Sequence, residues 1–161
     1  MGRLGCNCGA TMSNVDSPSR NMLEIYTAAE VDAVIKSEKN ITLWDFSTMN
    51  RPYEYWYCTD CRRVHKVDNT IGRCILRYKP AGASINQAGI IGIPANWSEL
   101  YVITDTELDT VTEKDFNIKL IDYLPKIPRR VMLSPEQSNA IVYDTISGRE
   151  IDRYEAEQVE E

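Results

Sequence analysis

The 161-residue chain contains a single histidine and two phenylalanines, and it has no long apolar run. Membrane-spanning helices need about 20 consecutive apolar residues, and no segment comes near that. No apolar stretch of signal-peptide type follows the first residues. Met1-Gly2 opens as a myristoylation signal would, but position 6 is Cys6 where Ser or Thr is required. The expectation is therefore a cytoplasmic chain without a lipid anchor. The sequence also lacks a P-loop, a dinucleotide fingerprint, a Gly-x-Ser-x-Gly elbow and a His-Glu-x-x-His helix. With one histidine, His65, nucleophile–base pairs are scarce, and the expectation is a protein that is not an enzyme and has no small-molecule substrate.

What is present belongs to a folded protein. Apolar residues make up 43% and charged residues 26% of the chain, a balance able to bury a core. The net charge of −6 is unevenly spread: residues 1–79 carry 11 Lys+Arg against 9 Asp+Glu, and residues 80–161 carry 7 against 15. The first half is slightly basic (+2) and the second strongly acidic (−8).

Sliding the chain by 77 positions aligns Thr27 with Thr104, Glu30 with Glu107, Asp45 with Asp122 and Phe46 with Tyr123. A shift of 76 then aligns Asp68 with Asp144, Gly72 with Gly148, Arg77 with Arg153 and Tyr78 with Tyr154. This order reads as a tandem duplication. The expected fold is α+β, two tandem β-rich repeats each with one helix, packed side by side or about a pseudo-two-fold. The boundaries are 1–79, 80–97 for a connecting segment, and 98–161. In each copy a strand leads into a Thr-x-x-Glu capping box, Thr27 with Glu30 and Thr104 with Glu107, then a helix of about three turns. The runs Ile41–Phe46 and Ile118–Tyr123 alternate in polarity and read as strands. Tyr53–Tyr57 and Arg129–Leu133 follow as strands, then hairpins turning at Gly72 and Gly148. Ile90, Ile91 and Ile93 mark the connecting segment as one that packs between the halves rather than a bare linker. The acidic residues from 155 onward read as a frayed tail.

The five cysteines are an odd number with Cys-x-Cys and Cys-x-x-Cys spacing, which suits metal ligation better than a disulfide framework. Cys58-Thr-Asp-Cys61 lies between two strands, as a zinc knuckle does, and Cys6-Asn-Cys-Gly9 forms a tighter second clip. Cys6, Cys8, Cys58 and Cys61 are thus the candidate ligands of one structural zinc ion, a zinc-ribbon-like site in the first repeat only. A redox role would want a helix directly after the first cysteine, whereas Arg62-Arg-Val-His-Lys-Val reads as strand; unligated core cysteines are the remaining alternative. Cys58 corresponds to Ser134 and Cys61 to Gln137, so the second copy keeps the fold without the metal. His65 corresponds to Ile141, which favours a packed or surface histidine over a ligand, and Cys74 reads as a partly exposed thiol. Asp45 and Asp122 read as a repeated cap or turn contact, not as catalytic carboxylates.

Leu4-Gly-Cys-Asn-Cys-Gly9, Tyr55-Trp-Tyr-Cys-Thr-Asp-Cys-Arg62 and the strand Arg77-Tyr-Lys79 resemble a group of small bacterial zinc-ribbon or rubredoxin-like knuckle proteins of unassigned function. The resemblance covers the first half only, and it departs at Arg62, where that group has glycine. It implies cysteine ligands at 6, 8, 58 and 61 and a bacterial or phage source.

Two binding functions follow. Tyr55 and Trp56 are of the types that anchor protein interfaces, unless the alternating aromatics simply fill the two faces of a sheet. A protein partner, with the chain acting as a small inhibitor or immunity protein, is the first expectation. The second is nucleic-acid binding through Arg62, Arg63, Lys66, Arg73, Arg77 and Lys79 on the knuckle and its hairpin.

Overall fold

A computed structural model of the protein describes residues 2–82 and 95–159. The chain opens with a hairpin of β1 (Arg3–Gly5) and β2 (Thr11–Ser13). It continues through β3 (Met22–Thr27), α1 (Ala28–Ser37), α2 (Leu43–Ser47), β4 (Tyr53–Tyr57), β5 (Val64–Asp68) and β6 (Arg73–Pro80). The second half runs β7 (Ser98–Thr104), α3 (Asp105–Lys114), α4 (Leu120–Tyr123), β8 (Arg129–Leu133), β9 (Asn139–Asp144) and β10 (Glu150–Glu157). The expected connecting-segment isoleucines Ile90, Ile91 and Ile93 lie outside the described residues.

The expectation of an α+β fold made of two tandem β-rich repeats with one helix each is corrected. The protein is mostly β, and β3 to β10 form one closed antiparallel barrel in the order β10-β6-β5-β4-β3-β7-β8-β9. Each half contributes four strands and two short helices. The physical reason lies in the edges. A four-stranded meander standing alone would expose rows of unpaired N–H and C=O groups along β3 and β6, and closure removes such edges. Leu23 to Thr27 pair with Leu100 to Thr104 at one seam, and Arg77 to Pro80 pair with Tyr154 to Glu157 at the other. The expected frayed tail is corrected with it: Glu155 and Glu157 belong to a barrel strand.

A helical layer covers the outside of the β3–β7 seam. Thr27 makes the full capping box with Glu30, while Thr104 accepts from the Glu107 N–H and the Glu107 carboxylate turns away to Arg129. The expected strands Ile41–Phe46 and Ile118–Tyr123 are corrected to short helices preceded by one isolated bridge, Thr42 with Lys119. Short apolar runs do not distinguish strand from buried helix by periodicity alone. Here Thr42 caps the Asp45 N–H, and the spacing of three buries both Leu43 and Phe46. Leu43 N–H donates to Ile118 O at 2.8 Å and Leu120 N–H to Ile41 O at 3.0 Å. Tyr26, Val31, Leu43, Phe46, Ile103, Leu120 and Ile127 form the apolar core under this layer. The barrel interior is a different space, with a cavity of about 690 Å³.

Candidate metal centre

Each clip is set by its own backbone. In the hairpin, Cys6 N–H donates to Ala10 O at 2.8 Å and Gly9 N–H to Cys6 O at 3.0 Å, with Gly9 at φ +94°. That conformation is open to glycine and costly for most other residues. In the turn between β4 and β5, Cys58 N–H donates to Arg63 O at 2.9 Å and Arg62 N–H to Cys58 O at 2.7 Å. Arg62 sits at φ 64°, in the left-handed region, so a glycine at this position of a knuckle has a direct steric reason.

The hairpin packs on the outer face of the barrel and brings the clips together. Cys6 Sγ lies 3.4 Å from Cys61 Sγ, and Cys8 Sγ lies 3.6 Å from Cys58 Sγ. All four sulfurs fall within 4.8 Å of one another, and among the described residues no other His, Cys, Asp or Glu joins them. All five cysteines are free thiols; a disulfide would require about 2.05 Å. Cys6, Met12, Trp56, Cys58 and Val67 form a buried cluster around the site.

The charges are arranged asymmetrically. Burial pushes the Cys6 thiol up to about 12, aided by the neighbouring thiols, and burial raises Cys58 as well. Burial also acts on Cys61, but the Arg63 side chain and backbone N–H, with Cys6 and Cys58 donating, bring it down to about 6. Four converging sulfurs with one favoured thiolate could hold a metal ion, because thiolate is the ligating form and a cation replaces the protons on its neighbours.

The residues match one known family over positions 2–82, described as a domain of unknown function, DUF8617. The chain belongs to the DUF8617 family. The matched span carries all four cysteines and the strands β1 to β6, while the four strands that complete the barrel lie beyond it. No curated protein and no solved structure matches the chain.

The expected partner-contact residues do not form one surface. Trp56 is 5% exposed and lies under the hairpin, with its Nε1 donating to Glu54 at 3.2 Å. Tyr55 and Lys66 face the barrel interior. Arg62 pairs with Asp152 at 2.9 Å, and Arg63 reaches both carboxylate oxygens of Glu157. Lys79 pairs with Glu155 at 3.2 Å. The basic first half and acidic second half thus meet each other at the β6–β10 side of the barrel. His65 is not a ligand: it is 1% exposed, its Nδ1 accepts from Arg77 Nε at 3.3 Å, and Cys74 Sγ lies 3.9 Å away.

The turn between β8 and β9 closes without sulfur. Ser134, 2% exposed, accepts through Oγ from the N–H groups of Ser138 and Asn139 at 3.1 and 3.0 Å. Sequence reasoning missed the cavity lining, which comes one to four residues at a time from every barrel strand. The one available signal was the recurrence of tyrosine at every second position of Tyr53–Tyr57, whose members lining the cavity are Tyr55 and Tyr57.

Proposed function

We propose that this chain is a non-enzymatic binding protein in which one structural zinc ion fastens the N-terminal hairpin to the barrel. The closed set of four sulfurs carries the reading. A zinc–thiolate bond of about 2.3 Å places the sulfurs of a tetrahedral site about 3.8 Å apart. The separations of 3.4 and 3.6 Å and the outer limit of 4.8 Å bracket that edge length. Four protein ligands leave no position for water or substrate, the pattern of structural rather than catalytic zinc. The bound ion would supply the charge that lets Cys6 and Cys58 ionise against burial.

The non-enzymatic reading is supported by His65, the one histidine, which is enclosed and accepts a hydrogen bond from Arg77 instead of facing solvent. A protein partner fits better than nucleic acid. Arg62, Arg63 and Lys79, half of the six cations counted toward a phosphate surface, are held by carboxylates of β10. Phosphates would have to displace those partners.

Elemental analysis after dialysis against a weak chelator tests the metal: one zinc per chain is expected, and a metal-free, fully folded protein would refute the site. Fluorescence anisotropy with labelled single- and double-stranded oligonucleotides at low salt tests the partner class. No binding is expected; tight binding that falls steeply with salt would reverse the preference.

A further inference from the structure

The barrel interior holds a cavity of about 690 Å³, lined by residues of all eight strands. An eight-stranded barrel is of the size at which side chains either fill the interior or leave room for one small ligand. Side-chain choice decides between these outcomes. On the adjoining strands β3, β7, β8 and β9, inward positions carry aliphatic groups, among them Ile25, Val102, Val131 and Ala140. These are too short to meet across the lumen. On the other four strands the inward set includes Tyr55, Tyr57, Tyr78 and Tyr154, together with Lys66. The wall is split into an aliphatic half and a phenolic half.

The polar groups on the phenolic half are left available. Tyr78 donates to Gln137 O at 2.9 Å. The hydroxyls of Tyr55, Tyr57 and Tyr154 make no hydrogen bond to any described residue, and none of them is fully buried. Lys66 Nζ stands 4.3 Å from the centre of the Tyr53 ring and has no carboxylate within ion-pair distance among the described residues. Of the other cations on the lining, Arg129 is engaged by Glu107 and Arg20 lies at the exposed rim. Burial lowers the Lys66 ammonium from the usual lysine range, against the more distant charge of Glu30 and with that of Arg51, and an anion beside it would oppose the shift further. The volume lies within the roughly 300–1,000 Å³ typical of small-molecule sites, which join a mostly apolar lining to a few convergent polar groups.

We propose that the lumen binds one apolar organic acid, its body against the aliphatic wall, its carboxylate on Lys66 and its other polar substituents on the free tyrosine hydroxyls. The lumen and the metal site are separate features. Far-UV circular dichroism and thermal melting are therefore read on every variant, so that loss of the barrel is distinguished from loss of ligand.

The test is a fluorescence titration of the full chain with cis-parinaric acid and, in parallel, its methyl ester. Saturable binding of one acid molecule per chain is expected, with weaker binding of the ester. Lys66→Met should lower affinity for the acid roughly 10-fold, the scale of one charge-assisted hydrogen bond, and leave the ester unchanged. Ala140→Trp should fill the lumen and abolish binding of both. Absence of saturable binding, unchanged binding by folded Ala140→Trp, or equal effects of Lys66→Met on acid and ester would each overturn the proposal. Should the tryptophan prevent folding, the Lys66 comparison decides alone, since it changes charge with little change in packed volume.

Discussion

Removing the proposed metal, or one of its proposed ligands by Cys58→Ser, should undock the N-terminal hairpin and leave the barrel standing. Ordering the roughly dozen residues of the hairpin costs about 1 kcal/mol each at the low end of backbone entropy estimates. Little besides the metal offsets this. Met12 is 1% exposed, and its burial with that of half-buried Leu4 contributes about 3 kcal/mol. Ser13 N–H donates to Asn21 Oδ1 at 3.0 Å and Ser19 Oγ donates to Ser13 O at 2.7 Å, adding about 1 kcal/mol each. Some 7 kcal/mol remain to be found, less than the about 10–16 kcal/mol that structural zinc sites supply. The barrel strands are joined by their own ladders and lose no hydrogen-bonded neighbour when β1 and β2 leave. Hydrogen exchange is the assay, with tryptophan emission beside it, because Trp56 lies under the hairpin. Chelation or Cys58→Ser should bring amides of residues 3–13 to fast exchange and red-shift the emission, while β7 to β9 keep their protection. Unchanged protection of residues 3–13 in metal-free protein would refute the reasoning; loss of protection throughout would show that the site holds the barrel as well.

Acidification should destabilise the protein partly through His65. Burial, with Arg77 and Arg63 nearby, lowers its pKa from 6.5 to about 4, so between those values the unfolded chain binds the proton and the fold does not. Its contribution is complete above about pH 6.5 and shrinks by up to about 3 kcal/mol toward pH 4; urea titrations at pH 7 and 4.5 should show the loss, and His65→Leu should flatten it. The Arg63–Glu157 contact ties the two halves across the β6–β10 seam, with side chains 24% and 17% exposed. Glu157→Gln should lower stability by about 1 kcal/mol at low salt, with a smaller effect in 1 M NaCl; an effect independent of salt would refute the ion-pair assignment. Ser134→Ala leaves two turn N–H groups without their acceptor and should cost about 1–3 kcal/mol, whereas Ser134→Cys should restore part of it if geometry rather than the hydroxyl matters; chemical denaturation separates the two.

The sequence determined the local features. The capping threonines, the glycines at positive φ in the hairpin turns, and strands β3, β4, β5 and β8 follow from residue type and spacing, because each depends on neighbours a few positions away. The four sulfurs that could hold a metal ion were legible for the same reason: two short-range clips announce themselves, and the structure brings them within 4.8 Å of one another. Only the tertiary structure decided that the halves complete each other. Whether β3 and β6 end as free edges or find β7 and β10 depends on pairing between residues about 75 positions apart, which no local pattern encodes. The tertiary structure also made Ile41–Phe46, an apparent strand, into a helix over the apolar core. It set the carboxylates of β10 against Arg62, Arg63 and Lys79. It also placed Tyr55 and Lys66 on the lining of the barrel lumen. A side chain's chemistry is written in the sequence, but whether it faces water, a carboxylate or a cavity is fixed by the strand beside it.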